Sequence, residues 1–196
     1  MEYKESLQIA DPEVTKIKFA SEVSKFNAVA EIYRSKGIIC TKVSFPDIYF
    51  IFAIPKLIPS SIVYSVRINF TNYDVEPPSV VFINPFTEEL VRRDQVPIAF
   101  IQVNKGNPFQ PIDLLQGDGN GNIVPFYCIP GVREFHNHSA HSGDSWFLYR
   151  TRGEGNLLFI IDQLYNHSIG IAKGYNAVLN LSEFKLQIHQ EIKIKP

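Results

Sequence analysis

The stretch from Ile62 to Phe70 constrains the fold more than any other part of this sequence. Large apolar side chains occupy every second position and alternate with Val63, Ser65, Arg67 and Asn69. A period of two residues is typical of a β-strand that buries one face. The stretch therefore predicts a half-buried strand, and its neighbours along the chain must supply a sheet for it.

Three further strands are predicted around it, at Ile38–Phe45, Asp47–Ile54 and Ser79–Ile83. Pro46 and Asp47 supply a turn between the first two, since both residue types favour turns. Consecutive strands on short connections are typical of an antiparallel meander. We therefore expect a four-stranded antiparallel sheet, one face of which needs a cover.

An amphipathic helix from about Glu13 to Arg34 precedes this sheet and can cover it. Asp11 is expected to be its N-cap, with Pro12 in the first helical position and Gly37 beyond its end. One apolar face recurs at helical spacing: Phe19, Val23, Phe26, Ala30 and Tyr33. An N-terminal helix packed on a four-stranded meander predicts an α+β fold.

The second half of the chain is less periodic. Trp146–Arg150 reads as strand-like, and a helix is expected from Leu157 to about His167, with Asn156 as its N-cap. The whole chain, 1–196, is interpreted as one domain. Its core spans about 13–170, and 171–196 form a C-terminal extension that is half-buried at first and frayed towards its end.

The composition argues against several classes of function. A formal net charge of −1 supplies no basic surface for nucleic acid or an anionic membrane. With two cysteines there is no disulfide scaffold, and the first residues lack the apolar core of a signal peptide. These features predict a reducing, cytoplasmic environment.

The residues best able to do chemistry are concentrated between Cys128 and Trp146. This stretch holds one of the two cysteines, the only tryptophan and three of the five histidines: His136, His138 and His141. Cys40, in an apolar strand, is expected to be a small core residue. The stretch allows three interpretations: a nucleophilic thiol, a metal site, or surface histidines beside a buried cysteine.

The segment Tyr73-Asp74-Val75-Glu76-Pro77-Pro78, followed by an apolar strand with Phe82, resembles ubiquitin-conjugating enzymes. That family typically has Tyr-Pro, two residues and Pro-Pro at this point; Asp74 here replaces the first proline. The order of helix, meander, irregular cysteine segment and helix is similar too, as is a tryptophan upstream of the second helix. The resemblance covers roughly residues 13–170.

The resemblance implies a ubiquitin-conjugating fold and a thioester mechanism. Cys128 would accept the C-terminus of a ubiquitin-like protein from its activating enzyme and pass it to an amine. A histidine or Asp144 would deprotonate that amine. The chain is most similar to divergent bacterial members, which belong to ubiquitin-like modification systems linked to phage defence. The target would be a protein.

Two departures from the family are visible. No His-Pro-Asn precedes Cys128; Asn120 or Asn122 are the candidates for the asparagine that polarises the thioester carbonyl. Cys128 also lies eighteen residues before Trp146, a longer spacing than in the family, and the histidine-rich insert fills the difference.

The competing interpretation is zinc binding by Cys128, His136, His138 and His141. One thiolate and three imidazoles suit tetrahedral zinc, and a His-x-His on an extended segment would turn both rings to one side. Such a protein would be a non-catalytic relative that acts as a binding or scaffold partner. With three ligands and a water, the zinc could instead be catalytic, with Glu134 or Asp144 as the base.

Overall fold

A computed structural model describes residues 7–104, 107–117, 124–180 and 185–192. Its helices are α1 (Pro12–Ser35), α2 (Arg133–Asn137) and α3 (Leu157–His167). Its strands are β1 (Ile38–Ser44), β2 (Asp47–Ile54), β3 (Ser61–Asn69), β4 (Ser79–Ile83), β5 (Ile101–Asn104), β6 (Asn107–Asp113), β7 (Leu115–Gln116), β8 (Phe126–Tyr127), β9 (Ala172–Asn180) and β10 (Lys185–Ile192). Single 3-10 turns lie at Arg93–Gln95, Ser139–His141 and Trp146–Leu148. Within the described ranges, no helix is both long and apolar enough to cross a bilayer.

Both ends of α1 follow the sequence signals. The Asp11 carboxylate accepts the backbone N–H of Glu13 at 2.9 Å, which confirms the predicted N-cap. Gly37 follows the helix with a φ of +88°, and a β-carbon there would lie 2.2 Å from the carbonyl oxygen of Ala53. Glycine alone accepts both the left-handed backbone and this close approach.

The predicted antiparallel meander is confirmed in β1 to β4. The sheet has six strands in the order β1-β2-β3-β4-β8-β7, and every neighbouring pair is antiparallel. The two added strands are two residues long each, too short for a periodic pattern to reveal. They extend the sheet beyond β4, and β8 leads directly into Cys128.

Aromatic side chains form the contact between α1 and the sheet. Phe19 meets Phe70 with ring centroids 5.6 Å apart, and Phe26 meets Phe50 at 5.1 Å, both edge to face. None of the four is more than 5% exposed, so each contributes about 1.5–3 kcal/mol of burial free energy. The chain is thus an α+β protein with its N-terminal helix packed on an antiparallel sheet.

Helix α3 joins the same core, and a carboxylate on α1 meets its first turn. The predicted N-cap is confirmed, because the Asn156 side chain accepts the N–H of Phe159 at 2.8 Å. The buried Glu22 accepts the N–H of Leu157 at 2.9 Å and lies 2.6 Å from the ammonium of Lys25. A negative charge at this end also complements the helix dipole. Glu22 thereby ties α3 to α1.

The strand predicted at Trp146–Arg150 is wrong. Trp146–Leu148 forms a 3-10 turn, and the N–H of Tyr149 donates to the carbonyl oxygen of Trp146 at 2.9 Å. The turn directs the indole inwards, where it is 6% exposed and donates its Nε1–H to the carbonyl oxygen of Asp74 at 3.1 Å. This tertiary contact overrides the strand propensity of the aromatic run.

The C-terminal extension is more regular than predicted. β9 and β10 pair as an antiparallel hairpin, and the Gln190 side chain donates to the carbonyl oxygen of Ser168 at 2.9 Å, which joins the hairpin to the end of α3. Residues 193–196, within the end that was expected to fray, lie outside the described residues. Cross-strand pairing supplies order that neither strand's sequence indicates alone.

Replacing Glu22 by alanine is expected to lower the free energy of unfolding by about 2–3 kcal/mol, because the buried N–H of Leu157 loses its acceptor. Glu22→Gln keeps an acceptor oxygen and should lose less. Urea denaturation measures both. In the matched control Glu31→Ala the original side chain is 81% exposed, and the change should stay within about 0.5 kcal/mol. Equal losses in Glu22→Ala and Glu31→Ala would contradict the tie between the helices.

Candidate active site

Cys128 lies where the six-stranded sheet ends and an irregular arm, residues 129–146, begins. Its backbone N–H donates to the carbonyl oxygen of Leu114 at 2.8 Å, which fixes its main chain. The side chain is half-buried, and burial raises the pKa of the Cys128 thiol. The thiol form is favoured at neutral pH, so a nearby base is needed to generate the nucleophilic thiolate.

Arg133 anchors the arm to the Pro-Pro turn. Its guanidinium is buried and donates to the carbonyl oxygens of Pro77, at 3.1 Å, and Thr71. Its Nε also lies 3.7 Å from the Glu76 carboxylate, and its backbone N–H donates to the carbonyl oxygen of Pro78 at 2.9 Å. Because a buried charge is tolerated only when it is well paired, these contacts hold the start of the arm in one place.

Glu134 provides a second anchor, directed at the sheet rather than at the thiol. Its carboxylate accepts the Ser79 hydroxyl and, at 3.3 Å, the backbone N–H of Val80. Burial raises the pKa of the Glu134 carboxyl, and the hydrogen bond from Ser79 opposes that shift. Glu134 thus helps to dock α2 on β4.

The segment expected to be an extended His-x-His is not extended, and that prediction is wrong. His136 lies in α2, whereas His138 caps the following 3-10 turn, with its Nδ1 accepting the N–H of Ala140 at 3.3 Å. Arg133 and Glu134, whose side chains bind the Pro-Pro turn and β4, form the first turn of this helix. The rings of His136 and His138 are therefore not placed side by side as on a strand, and each has separate surroundings.

Cys128, His141, Asp144 and Tyr149 form a continuous line of polar contacts. The Cys128 sulfur lies 3.4 Å from Nε2 of His141, and Nδ1 of His141 lies 3.2 Å from Oδ2 of Asp144. The Tyr149 hydroxyl donates to Oδ1 of the same carboxylate at 2.9 Å. A thiol, an imidazole and a carboxylate in this order are the parts of an activated nucleophile.

The surroundings of this line favour an ionised Asp144. The Tyr149 hydrogen bond, followed by that of His141, lowers the pKa of the Asp144 carboxyl, and the same bond raises the pKa of the Tyr149 phenol. The ring of Phe135 stacks on His141 with centroids 3.8 Å apart, which restricts the imidazole. The carboxylate can then orient His141 through its Nδ1.

The other two predicted ligands are engaged elsewhere. Nε2 of His136 accepts the N–H of Gly131 at 3.0 Å, and Nδ1 lies 2.5 Å from the carbonyl oxygen of Asp144. Burial lowers the pKa of His136, which favours the neutral ring. His138 packs against Phe126 with centroids 5.1 Å apart. Across the described residues, no group of three or more His, Cys, Asp or Glu side chains is arranged to hold a metal ion.

His167 and Cys40 lie away from this line. Nδ1 of His167, at the end of α3, lies 2.7 Å from the Tyr127 hydroxyl, and burial lowers the pKa of its ring. Cys40 is half-buried against the core. Asn120 and Asn122 lie outside the described residues.

The sequence predicts Cys128 and Asp144 as catalytic residues but does not indicate which group connects them. His141 fills that position, and Tyr149 completes the line. The spacing of three residues between His141 and Asp144 was an available signal, because a single helical turn brings such residues together. The role of Tyr149 had no signal, since it depends on the 3-10 turn at Trp146–Leu148.

Two comparisons with known proteins agree with each other. A family model described as Y4jH-like, Y4jH family, matches residues 10–171, from just before α1 to just after α3. A relative from Sinorhizobium fredii (strain NBRC 101917 / NGR234), with the printed name "Uncharacterized protein y4jH", is 37% identical over 202 residues. The alignment covers 96% of this chain and 93% of the relative.

Removing the imidazole of His141 is expected to slow alkylation of Cys128 by iodoacetamide at pH 7 about tenfold or more, because the half-buried thiol loses its base. Cys40→Ser protein carries the measurement, since Cys128 is then its one thiol. The rate should rise with pH as the thiolate forms, because burial raises the thiol pKa. His141→Ala is compared with His138→Ala, for which less than about a twofold change is expected. Equal rates in the two variants would contradict the assignment.

Proposed function

We propose a function for this chain, which belongs to the Y4jH family. It is a ubiquitin-conjugating-like protein that carries an acyl group on Cys128. The acyl group is the C-terminus of a ubiquitin-like protein, held as a thioester. The partners are that ubiquitin-like protein and its activating enzyme, within a bacterial modification system of the kind linked to phage defence. The acceptor is an amine of a target protein.

The observation that carries the proposal is the contact between the Cys128 sulfur and Nε2 of His141, 3.4 Å apart. A carboxylate only accepts hydrogen bonds, so Asp144 favours the tautomer of His141 that carries its proton on Nδ1. Nε2 is then unprotonated and faces the thiol, in position to take its proton. General-base catalysis by His141 needs no ionised cysteine at rest.

The reaction follows from this geometry. His141 takes the proton of Cys128, and the thiolate attacks the carbonyl of the thioester on the activating enzyme. The tetrahedral intermediate collapses, the activating enzyme leaves as a thiolate, and that thiolate regains a proton from His141. In the second half an amine attacks the new thioester, His141 accepts the amine proton, and Cys128 leaves as the thiolate. Each half breaks one carbon–sulfur bond and forms one bond to the same carbon.

The arrangement of elements supports the ubiquitin-conjugating architecture. α1 packs on the meander, the Pro77-Pro78 turn precedes β4, and the cysteine segment leads on to α3. Trp146 donates to the carbonyl oxygen of Asp74, so the two sequence features that carry the resemblance are in contact. Fold alone does not establish activity. The proposed acyl transfer therefore rests on the polar line at Cys128.

A second candidate function is zinc binding, and the same contact favours it. Zinc bonds to sulfur and nitrogen of about 2.3 and 2.0 Å give a ligand separation of about 3.5 Å in a tetrahedral site. Cys128 and His141 meet that requirement, with Asp144 behind His141 as an orienting carboxylate. The predicted set of four does not fit as it stands, because His136 uses both ring nitrogens on the backbone. A binding or scaffold role would accompany this candidate.

Transfer can be tested without the activating enzyme. Cys40→Ser protein mixed with ubiquitin that bears a C-terminal mercaptoethanesulfonate thioester is expected to form an adduct that dithiothreitol reverses, because thiol exchange on the thioester releases mercaptoethanesulfonate. Cys128→Ser should form no such adduct, and His141→Ala should form it about tenfold more slowly. Intact-protein mass spectrometry gives both results, with His138→Ala as the matched control.

A second acyl donor controls for the case in which the protein does not recognise the folded ubiquitin domain. A short peptide thioester that ends in two glycines presents the same reacting group without a folded domain. Absence of a thiol-labile adduct with both donors would contradict the transfer function.

The zinc function makes a different prediction. The pure protein should contain one zinc per chain, and the metal should be lost in both Cys128→Ser and His141→Ala, because each removes a ligand. The metal should also protect Cys128 from iodoacetamide until a chelator is added. Elemental analysis and alkylation measure these effects. An alkylation rate that does not change with chelator contradicts zinc at this thiol.

A further inference from the structure

Hydrogen-bond chemistry fixes the state of the His136 ring. The N–H of Gly131 can only donate, so Nε2 of His136, 3.0 Å away, carries no proton. The carbonyl oxygen of Asp144 can only accept, so Nδ1, 2.5 Å away, carries one. His136 is therefore a neutral ring with each nitrogen committed to the backbone of the arm.

These two bonds connect parts of the arm that the polar line needs in register. Gly131 lies three residues after Cys128, and Asp144 carries the carboxylate that contacts His141. Gly131 also lies close to the chain that leads into α3: its φ is +90°, and a β-carbon at this position would lie 2.4 Å from the backbone nitrogen of Gly155. The His136 ring therefore links the Asp144 carbonyl to Gly131, which lies against the chain that leads into α3.

Packing holds the ring in this role. Its centroid lies 5.6 Å from that of Trp146 and 5.3 Å from that of Tyr149. The hydroxyl of Tyr149 donates to Oδ1 of Asp144, whereas His136 contacts the carbonyl of the same residue. Asp144 is therefore held at its main chain by one neighbour and at its side chain by the other, and its remaining oxygen faces His141.

We propose that His136 is a positioning residue of the Cys128 site, which acts through its bond to the Asp144 carbonyl rather than as a metal ligand. The inference rests on the proposed function, in which His141 is the base and Asp144 orients it. Without the bond from His136, the Asp144 main chain keeps its N–H bond to the carbonyl oxygen of His141, at 2.9 Å, but its own carbonyl oxygen loses its donor, and the carboxylate loses its alignment with Nδ1 of His141. The thiol then loses activation although no group of the polar line has been removed.

Two amide substitutions separate the two bonds of the ring. In His136→Asn the side-chain N–H₂ can take the position of Nδ1 and still donate to the Asp144 carbonyl. In His136→Gln the amide reaches the position of Nε2, where its oxygen can still accept from Gly131. If His136 acts through Asp144, Asn should retain Cys128 reactivity to within about threefold, whereas Gln should lose about tenfold, a coupling within the usual range for residues in contact.

The readout is iodoacetamide alkylation of Cys128 in Cys40→Ser protein, with thermal unfolding recorded for each variant. A double-mutant cycle with Asp144→Asn then tests the route of the effect. The change His136→Gln should slow alkylation less than twofold when Asp144 is already asparagine. A merely structural role would instead slow both backgrounds equally and would follow the melting temperature. Should His136→Gln fail to fold, His136→Phe, which keeps the ring volume, replaces it in the cycle.

Each outcome decides the inference. Greater reactivity in Asn than in Gln, together with non-additivity in the cycle, supports it. Equal or reversed reactivity, or additive effects, overturns it. Alkylation needs no ubiquitin-like protein, so failure of the thioester assay with an intact cycle removes the proposed function alone. A working thioester assay with an additive cycle removes the role of His136 alone.

Discussion

The aromatic layer between α1 and the antiparallel sheet is the constraint on which the other elements depend. Phe19 and Phe26 on the helix meet Phe70 and Phe50 on the strands edge to face. Helix α3 packs beside α1 at this layer, and the buried Glu22 carboxylate accepts the N–H of Leu157, the first residue of α3. Beyond β4 the sheet continues with β8 and β7, and the end of β8 determines where the Cys128 sulfur can lie.

Beyond the sheet, the arm is ordered by polar contacts to the backbone together with buried apolar side chains, which are Ile129, Val132, Phe135 and Trp146. Arg133 binds carbonyl oxygens of the Pro-Pro turn, Glu134 binds Ser79 and Val80, and His136 bridges Gly131 and Asp144. Each of these side chains is at least half-buried, so an unsatisfied partner would cost free energy. An irregular segment can in this way hold a thiol, an imidazole and a carboxylate in one line.

The periodic half of the fold could be predicted from sequence, because repeated burial leaves a repeated pattern. α1, the four meander strands and α3 were all within a few residues of their predicted bounds. The arm had no such period. Its 3-10 turn at Trp146–Leu148 depends on an indole that reaches Asp74, and the contact of His141 with Cys128 spans thirteen residues of irregular chain. Side-chain identity therefore predicted which residues matter, but tertiary contacts decided which of them meet.

Gly131 and Gly155 bring two stretches of main chain against each other with no side chain between them. Side chains absorb small displacements by changing rotamer, whereas a backbone-to-backbone contact has no such freedom. Asn156, the next residue after Gly155, caps α3. A β-carbon at Gly131 would have to displace the main chain that leads into α3, so the segment after Cys128 excludes every residue but glycine at this position.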